Sequence, residues 1–163
     1  MIVHDIGDTR FSFRVAGVAY GPSGVLLQRV AGSDHWLLPG GRVEMLEPSR
    51  EALAREIQEE LGARPRVGRL LWIIESFFAL DGKRYHEFGL YFLIALPASI
   101  PTTGEFDAFD PHYRLIMQWL PLKDLPPVVP IFLRTVLLNP PNVPVLVVCD
   151  EIGLPNASGP CVR

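Results

Sequence analysis

The chain has 163 residues, 48% of them apolar, and its 15 basic and 18 acidic side chains leave a net charge of -3. A single domain of this length buries roughly two thirds of its unfolded surface and needs no disulfide or metal staple to fold. The acidic balance excludes a broad basic nucleic-acid footprint, and so a stable nucleic-acid partner, while a local cluster can still hold a small phosphate-bearing ligand.

Met1 to Arg10 shows no charged-then-apolar leader, and no uncharged apolar run reaches about 18 residues. Both features predict a cytoplasmic chain without a membrane span. Arg10 to Tyr20 is rich in aromatic and β-branched residues and predicts a strand. After the Gly21-Pro22-Ser23-Gly24 turn, Val25 to Val30 predicts its hairpin partner. Trp36 to Leu38 reads as a short apolar strand closed by Pro39-Gly40-Gly41. Ser49 to Leu61 consists of good helix formers, with Pro48 suited to the first helical position and Gly62 to the C-terminal stop. Leu53, Ile57 and Leu61 share one face beside Ala54, and that face should pack on a sheet.

Leu70 to Leu80 and Tyr85 to Leu96 predict a large hairpin about the turn Asp81 to Arg84. Ala98 to Asp110 reads as a loop carrying Glu105, Asp107 and Asp110, followed by a strand at Met117 to Leu120. Val128 to Leu138 predicts a second helix between Pro126-Pro127 and Pro140-Pro141. Val143 to Val148 fits either an added edge strand or a segment packed on a second subunit. Eight of the 16 prolines fall between Pro126 and Pro160, so residues 141–163 read as an extended arm after a single domain of residues 1–140. The sum is a mixed α/β domain with sheet between helices. Cys149 and Cys161 are too few for a disulfide scaffold and carry no zinc spacing, which predicts reduced thiols. A mean hydropathy of +0.23 is high for a lone monomer and predicts a homodimer.

The chemistry concentrates in Gly41 to Gly62, GRVEMLEPSREALAREIQEELG. On a helix Glu56, Glu59 and Glu60 project within about a 100° sector, largely away from the apolar stripe. Glu47 precedes the helix, and Arg55 can pair with it and brace the loop. Like charges at this spacing destabilise an isolated helix by a few tenths of a kcal/mol per pair. A hard dication, Mg²⁺ or Mn²⁺, would relieve that repulsion through oxygen ligands and substrate phosphates. An acidic cluster alone reads more readily as a solvated helix face. What favours chemistry is the whole arrangement of glycine turn, glutamate and Arg-Glu-x-x-Glu-Glu-x-Gly at fixed offsets.

That segment resembles the signature of the Nudix hydrolases, G-x5-E-x7-R-E-U-x-E-E-x-G-U, where U is a bulky aliphatic. Gly41, Glu47, Arg55, Glu56, Ile57, Glu59, Glu60 and Gly62 match it, while Ala63 replaces the final aliphatic. Leu46 stands where family members often have glycine, which is unfavourable if the turn needs a positive φ. Looser similarity runs over about residues 20–138. The resemblance implies a Nudix fold, an α/β/α sandwich with a mixed sheet. It also implies Mg²⁺-dependent hydrolysis of a nucleoside diphosphate linked to another moiety X, giving a nucleoside monophosphate and phospho-X. Carried over, Glu56, Glu59 and Glu60 would be metal ligands, with the Gly41 carbonyl as a fourth. Glu56 would also orient or deprotonate the attacking water, and Arg55 and Glu47 would brace it. A non-catalytic nucleotide-sensing module is the alternative, although such a module would be expected to lose the carboxylates kept here.

Arg29, close to the Gly-Gly turn, is a candidate phosphate contact, and Glu105 is one of three candidate loop acids. Trp36, Phe77, Phe78 and Tyr91 could stack a base or fill the core, and His86 could touch substrate or cap its strand. His4, His35 and His112 carry no spacing signal.

Overall fold

A computed structural model describes residues 1–154 and the backbone of 161–162. Two sheets carry the fold. The first has six strands: β1 (Val3–Ile6), β2 (Thr9–Val18), β5 (Arg66–Leu80), β6 (Lys83–Ala95), β9 (Val145–Asp150) and β10 (Cys161–Val162), in the order β1-β2-β6-β5-β9-β10. The second has four: β3 (Tyr20–Gly21), β4 (Gly24–Val30), β7 (Glu105–Ala108) and β8 (Leu115–Leu120), in the order β3-β4-β8-β7. β2 runs parallel to β6 and β5 parallel to β9, while every other pairing is antiparallel, so the sheet is mixed.

Helix α1 (Ser49–Leu61) forms where the helix formers predict it, and Gly62 ends it in the left-handed region at φ 70°. Pro48 serves as the extended N-cap, one position earlier than expected. Its carbonyl accepts the Ala52 N–H at 3.0 Å. The face that α1 buries is Ala52, Leu53, Ala54 and Ile57. It packs with Val15, Ala19, Leu26, Phe92, Ile94, Met117 and Trp119. Burial of Leu53 and Ile57 alone stabilises the docked helix by about 1.5–3 kcal/mol each. A second core contains Ala16, Val18, Leu27, Ile74, Tyr91 and Val147 against Leu133, Val136 and Leu137. Helices thus cover both sides of the strands, an α/β/α sandwich. Among the described residues no helix is long and apolar enough to cross a membrane.

Three local expectations are corrected. The strand from Arg10 to Tyr20 does not form a long hairpin with Val25 to Val30. The chain changes sheets after Val18, and only Tyr20 and Gly21 pair with β4, while β2 lies between β1 and β6. The predicted helix Val128–Leu138 shrinks to α2, Leu133–Val136. Its first residues are taken by strand-like bonds, Trp36 N–H to Pro127 O at 2.9 Å and Val129 N–H to Trp36 O at 2.8 Å. Pro130, which has no N–H, then opens the turns that follow. The loop from Ala98 to Asp110 also contains β7, paired with β8. The large hairpin of β5 and β6 forms, turning at Asp81 and Gly82, both at positive φ as a two-residue loop of this kind requires. Residues beyond the expected domain end at 140 supply β9, with Val147, Cys149 and Asp150 buried beside β5. The Cys161 thiol lies outside the described residues.

The loop leading into α1 turns through Leu46 at φ 63°, with the side chain 97% exposed. The left-handed conformation costs an L-residue about 1–2 kcal/mol, and no burial offsets it. Leu46→Gly should therefore raise stability by about 0.5–1 kcal/mol once the entropy of glycine is subtracted, read as a higher urea midpoint. An unchanged or lower midpoint would show that the turn carries no strain.

Candidate functional site

The Gly-Gly turn is tied to β2. Val15 N–H donates to Gly41 O at 2.8 Å, and Gly17 N–H donates to Pro39 O at 2.8 Å. Gly40 sits at φ 136°, and a Cβ there would lie 2.3 Å from Val15 O. A Cβ on Gly41 would lie 2.1 Å from the Glu56 carboxylate. Gly40 therefore admits only glycine, whereas a side chain at Gly41 would displace the Glu56 carboxylate from the cradle it occupies there.

Arg55 joins this turn to the helix. Its Nε donates to Glu47 Oε1 at 2.9 Å. Its Nη2 donates to Glu47 Oε2 at 3.0 Å and to Arg42 O at 3.2 Å. Its Nη1 donates to Glu56 Oε1 at 2.8 Å and to Glu59 Oε2 at 3.2 Å. All five guanidinium N–H groups thus have acceptors. Glu47 also accepts the Glu44 N–H at 3.0 Å. The Arg55 hydrogen bonds, helped by that N–H, hold the Glu47 carboxyl below the usual carboxylate range.

The three helix acids share a sector but not an environment. Glu59 is 57% exposed at the rim, whereas Glu56 is 19% exposed. Burial raises the Glu56 carboxyl, opposed by Arg55. Glu60 lies deepest: its Oε2 is fully buried and has no hydrogen-bond partner. Burial is the main cause pushing its carboxyl up to about 8, with the charge of Glu56 adding to the shift. Arg14, the Gln28 side chain and the Gly40 N–H oppose it. Arg14, whose Nη2 donates to Gly40 O at 3.0 Å, faces both Glu56 and Glu60.

With Glu47, Glu56, Glu59 and Glu60 ionised, four negative charges face two positive ones from Arg14 and Arg55, a residue of two negative charges. Among the described residues no three His, Cys, Asp or Glu side chains already converge as a metal cage, because Arg55 draws Glu56 and Glu59 toward the loop. The donors nonetheless fit a hard dication: carboxylate oxygens, an orphaned buried Oε2 on Glu60, and a matching local charge. The Gly41 carbonyl, already accepting from Val15, has a second lone pair.

The remaining candidates lie elsewhere. Arg29 sits over the Trp36 ring at 5.0 Å and pairs with Glu105 at 3.8 Å, so two separately chosen residues meet each other. Asp107 pairs with Arg114 at 3.1 Å, and Asp110 accepts the N–H groups of His112 and Tyr113. The loop holding them reaches α1 through Phe109 N–H to Glu60 O at 2.8 Å. Trp36 and Tyr91 fill the core, while Phe77 packs on His86 and Phe78 stacks on Tyr85. His86 also faces Glu75 at 3.4 Å. Sequence reasoning missed Arg14 and Gln28. Their signal was a charged or polar residue inside an otherwise apolar strand.

The model of the NUDIX domain matches residues 11–138. The chain is similar to mutator protein MutT4 of Mycobacterium tuberculosis, 31% identical over 91 residues, which cover 56% of this chain and 34% of that protein. It is 49% identical over 43 residues to diphosphoinositol polyphosphate phosphohydrolase 2 of Rattus norvegicus, covering 26% of this chain and 24% of that one. The chain thus spans about a third and a quarter of these two relatives. Among solved structures, the MutT NUDIX hydrolase from Burkholderia pseudomallei superimposes with a TM-score of 0.55 at 28% identity, covering 74% of this chain and 91% of that one.

A group whose folded pKa is raised contributes stability below its unfolded pKa and loses it as pH climbs through the folded one. For Glu60 that window runs from 4.5 to about 8. In chelator the urea midpoint should fall across this range, and Glu60→Gln should flatten the fall. An equally steep slope in the variant would assign the titration to another group.

Proposed function

Because the chain belongs to the NUDIX domain family, we propose that it hydrolyses the phosphoanhydride of a nucleoside diphosphate linked to a second moiety, in the presence of Mg²⁺. The products would be a nucleoside monophosphate and the phosphorylated remainder. The observation that carries the reading is the buried, unpartnered Oε2 of Glu60 beside Glu56, next to a Gly-Gly turn whose Gly40 admits no side chain and whose Gly41 leaves room for the Glu56 carboxylate. Support for a diphosphate also comes from the rat relative, whose name specifies a diphospho compound.

In this reading Glu56, Glu59 and Glu60 hold the dication, with the Gly41 carbonyl completing the donor set. Charge neutralisation at the bridging and leaving oxygens is what Mg²⁺, or Mn²⁺ in its place, supplies when bound. The chain's own residues do the rest. Glu56, raised by burial, accepts a proton from water near neutral pH and orients that water for attack. Arg55 keeps the Glu56 carboxylate in place through the Nη1 bond and anchors the loop through Glu47. Arg14 presents positive charge beside the acids, where a phosphate would otherwise be repelled. The high mean hydropathy supports reading the working unit as a homodimer. Light scattering should then give about twice 18.2 kDa, and a monomer mass would rule the dimer out.

Glu60→Gln should keep the fold and lose at least about 100-fold in kcat with Mg²⁺. The assay is a panel of nucleoside triphosphates, nucleotide sugars, ADP-ribose and dinucleoside polyphosphates, with release of monophosphate, phosphate or pyrophosphate as the readout. Turnover of none of them by the wild type would favour the sensing module, and wild-type turnover by Glu60→Gln would remove that residue from metal binding.

A further inference from the structure

We propose that the cleft at the start of β5 is a second ligand site, in which Arg66 and Arg69 bind the phosphate of a small organic phosphomonoester. The two arginines are three residues apart, and on an unbroken strand they would face opposite sides. Here β5 is broken. Its register against β6 shifts between Val67 and Leu70 and again between Leu70 and Trp72, and Gly68 and Arg69 have no partner in the ladder. A bulge reverses the parity of the strand. Arg66 and Arg69 consequently line one cleft of about 500 Å³, together with Tyr20, Leu93 and Ala95.

The bulge is built in. From the first turn of α1, Arg50 donates to the carbonyls of Val67 and Gly68, and its guanidinium sits over the Phe92 ring at 5.1 Å. At Gly68 a Cβ would lie 3.0 Å from Leu93 O, which leaves little room for any other residue. Arg69 donates to the Pro141 carbonyl, so its fork is oriented rather than free.

Charge favours an anion. Among the described residues no carboxylate lines the cleft. Among the described residues neither Arg66 nor Arg69 takes part in an ion pair, whereas Arg10, Arg29, Arg55, Arg64, Arg84 and Arg114 each do. Two uncompensated guanidiniums in one concavity, within an acidic chain, match the oxygens of a phosphate in a planar, bidentate manner. The volume falls in the range of small-molecule sites, about 300–1,000 Å³, well beyond what the bare ion fills. Leu93, Ala95 and the Tyr20 ring offer apolar wall for an organic body. The Tyr20 hydroxyl donates to Leu137 O at 2.8 Å, and burial pushes it up to about 12, so the ring stays neutral. The cleft is remote from the carboxylates: Arg50 and Glu60 are ten residues apart on α1, about 15 Å of helix.

The test is calorimetric titration with AMP and, separately, with inorganic phosphate, both in excess EDTA so that no metal bridges a nucleotide to α1. AMP should bind, and about tenfold or more tightly than phosphate. Arg66→Glu, at an exposed position, should weaken AMP at least about tenfold while its thermal midpoint stays near wild type; if that variant is unstable, Arg66→Gln serves with the same criterion. Absence of AMP binding, or equal AMP affinity in wild type and variant, overturns the site. Phosphate binding as tightly as AMP overturns the organic ligand. None of these outcomes depends on hydrolytic activity, so failure here leaves the proposed reaction standing, and the reverse also holds.

Discussion

One guanidinium holds the candidate catalytic region in register. Arg55 meets Glu47 with two parallel bonds, Glu56 and Glu59 with one each, and the Arg42 carbonyl with its last N–H. Five donors in a fixed plane reach acceptors on two chain segments, the loop before α1 and the helix itself. A lysine has three donors on a point charge and could not satisfy that geometry. Without the contact, the turn would still reach Glu60 through the Gly40 N–H and β2 through Val15 and Gly17, but the loop would lose its hold on Glu47, Glu56 and Glu59. The cradle that Gly41 offers the Glu56 carboxylate depends on the two segments staying in this relation.

Much of this was legible in the chain. Helix α1, its glycine stop and its apolar stripe follow from composition and period, because these are local properties. The offsets of Gly41, Glu47, Arg55, Glu56, Glu59 and Glu60 are local too, and they marked the segment that the fold gathers around Arg55 and the Gly-Gly turn. The depth of each acid was not legible. Helical spacing fixes the direction in which Glu59 and Glu60 leave the axis, but not that one meets solvent while the other meets Arg14, Gln28 and the Gly40 N–H. Those partners arrive from β2, β4 and the turn, and one sequence does not reveal which strands adjoin.

The strand errors share that origin. Arg10 to Tyr20 is a good strand by composition, yet its partner is set by tertiary contacts: a parallel neighbour, β6, about 75 residues away in sequence, outcompetes the adjacent Val25 to Val30. The helix expectation came from the flanking proline pairs, but Val128 and Val129 are β-branched, which favours extended backbone, and they are held by Trp36. The parity of Arg66 and Arg69 was hidden similarly, since a bulge leaves no mark beyond a glycine at Gly68.

The buried acid fits the proposed metal site, which would have to exist both with and without its ion. Four carboxylates against Arg14 and Arg55 leave two negative charges in a partly dry space, and dehydrated charge of that size would strain the fold. Glu60, raised to about 8, relieves part of the strain by keeping its proton near neutral pH. A dication bound there, as proposed, would supply the compensation that the proton gives, and proton and metal would then compete for one oxygen pair. It follows that metal affinity should rise with pH up to about 8, and that the burial which weakens Glu60 as an acid also prepares it as a ligand.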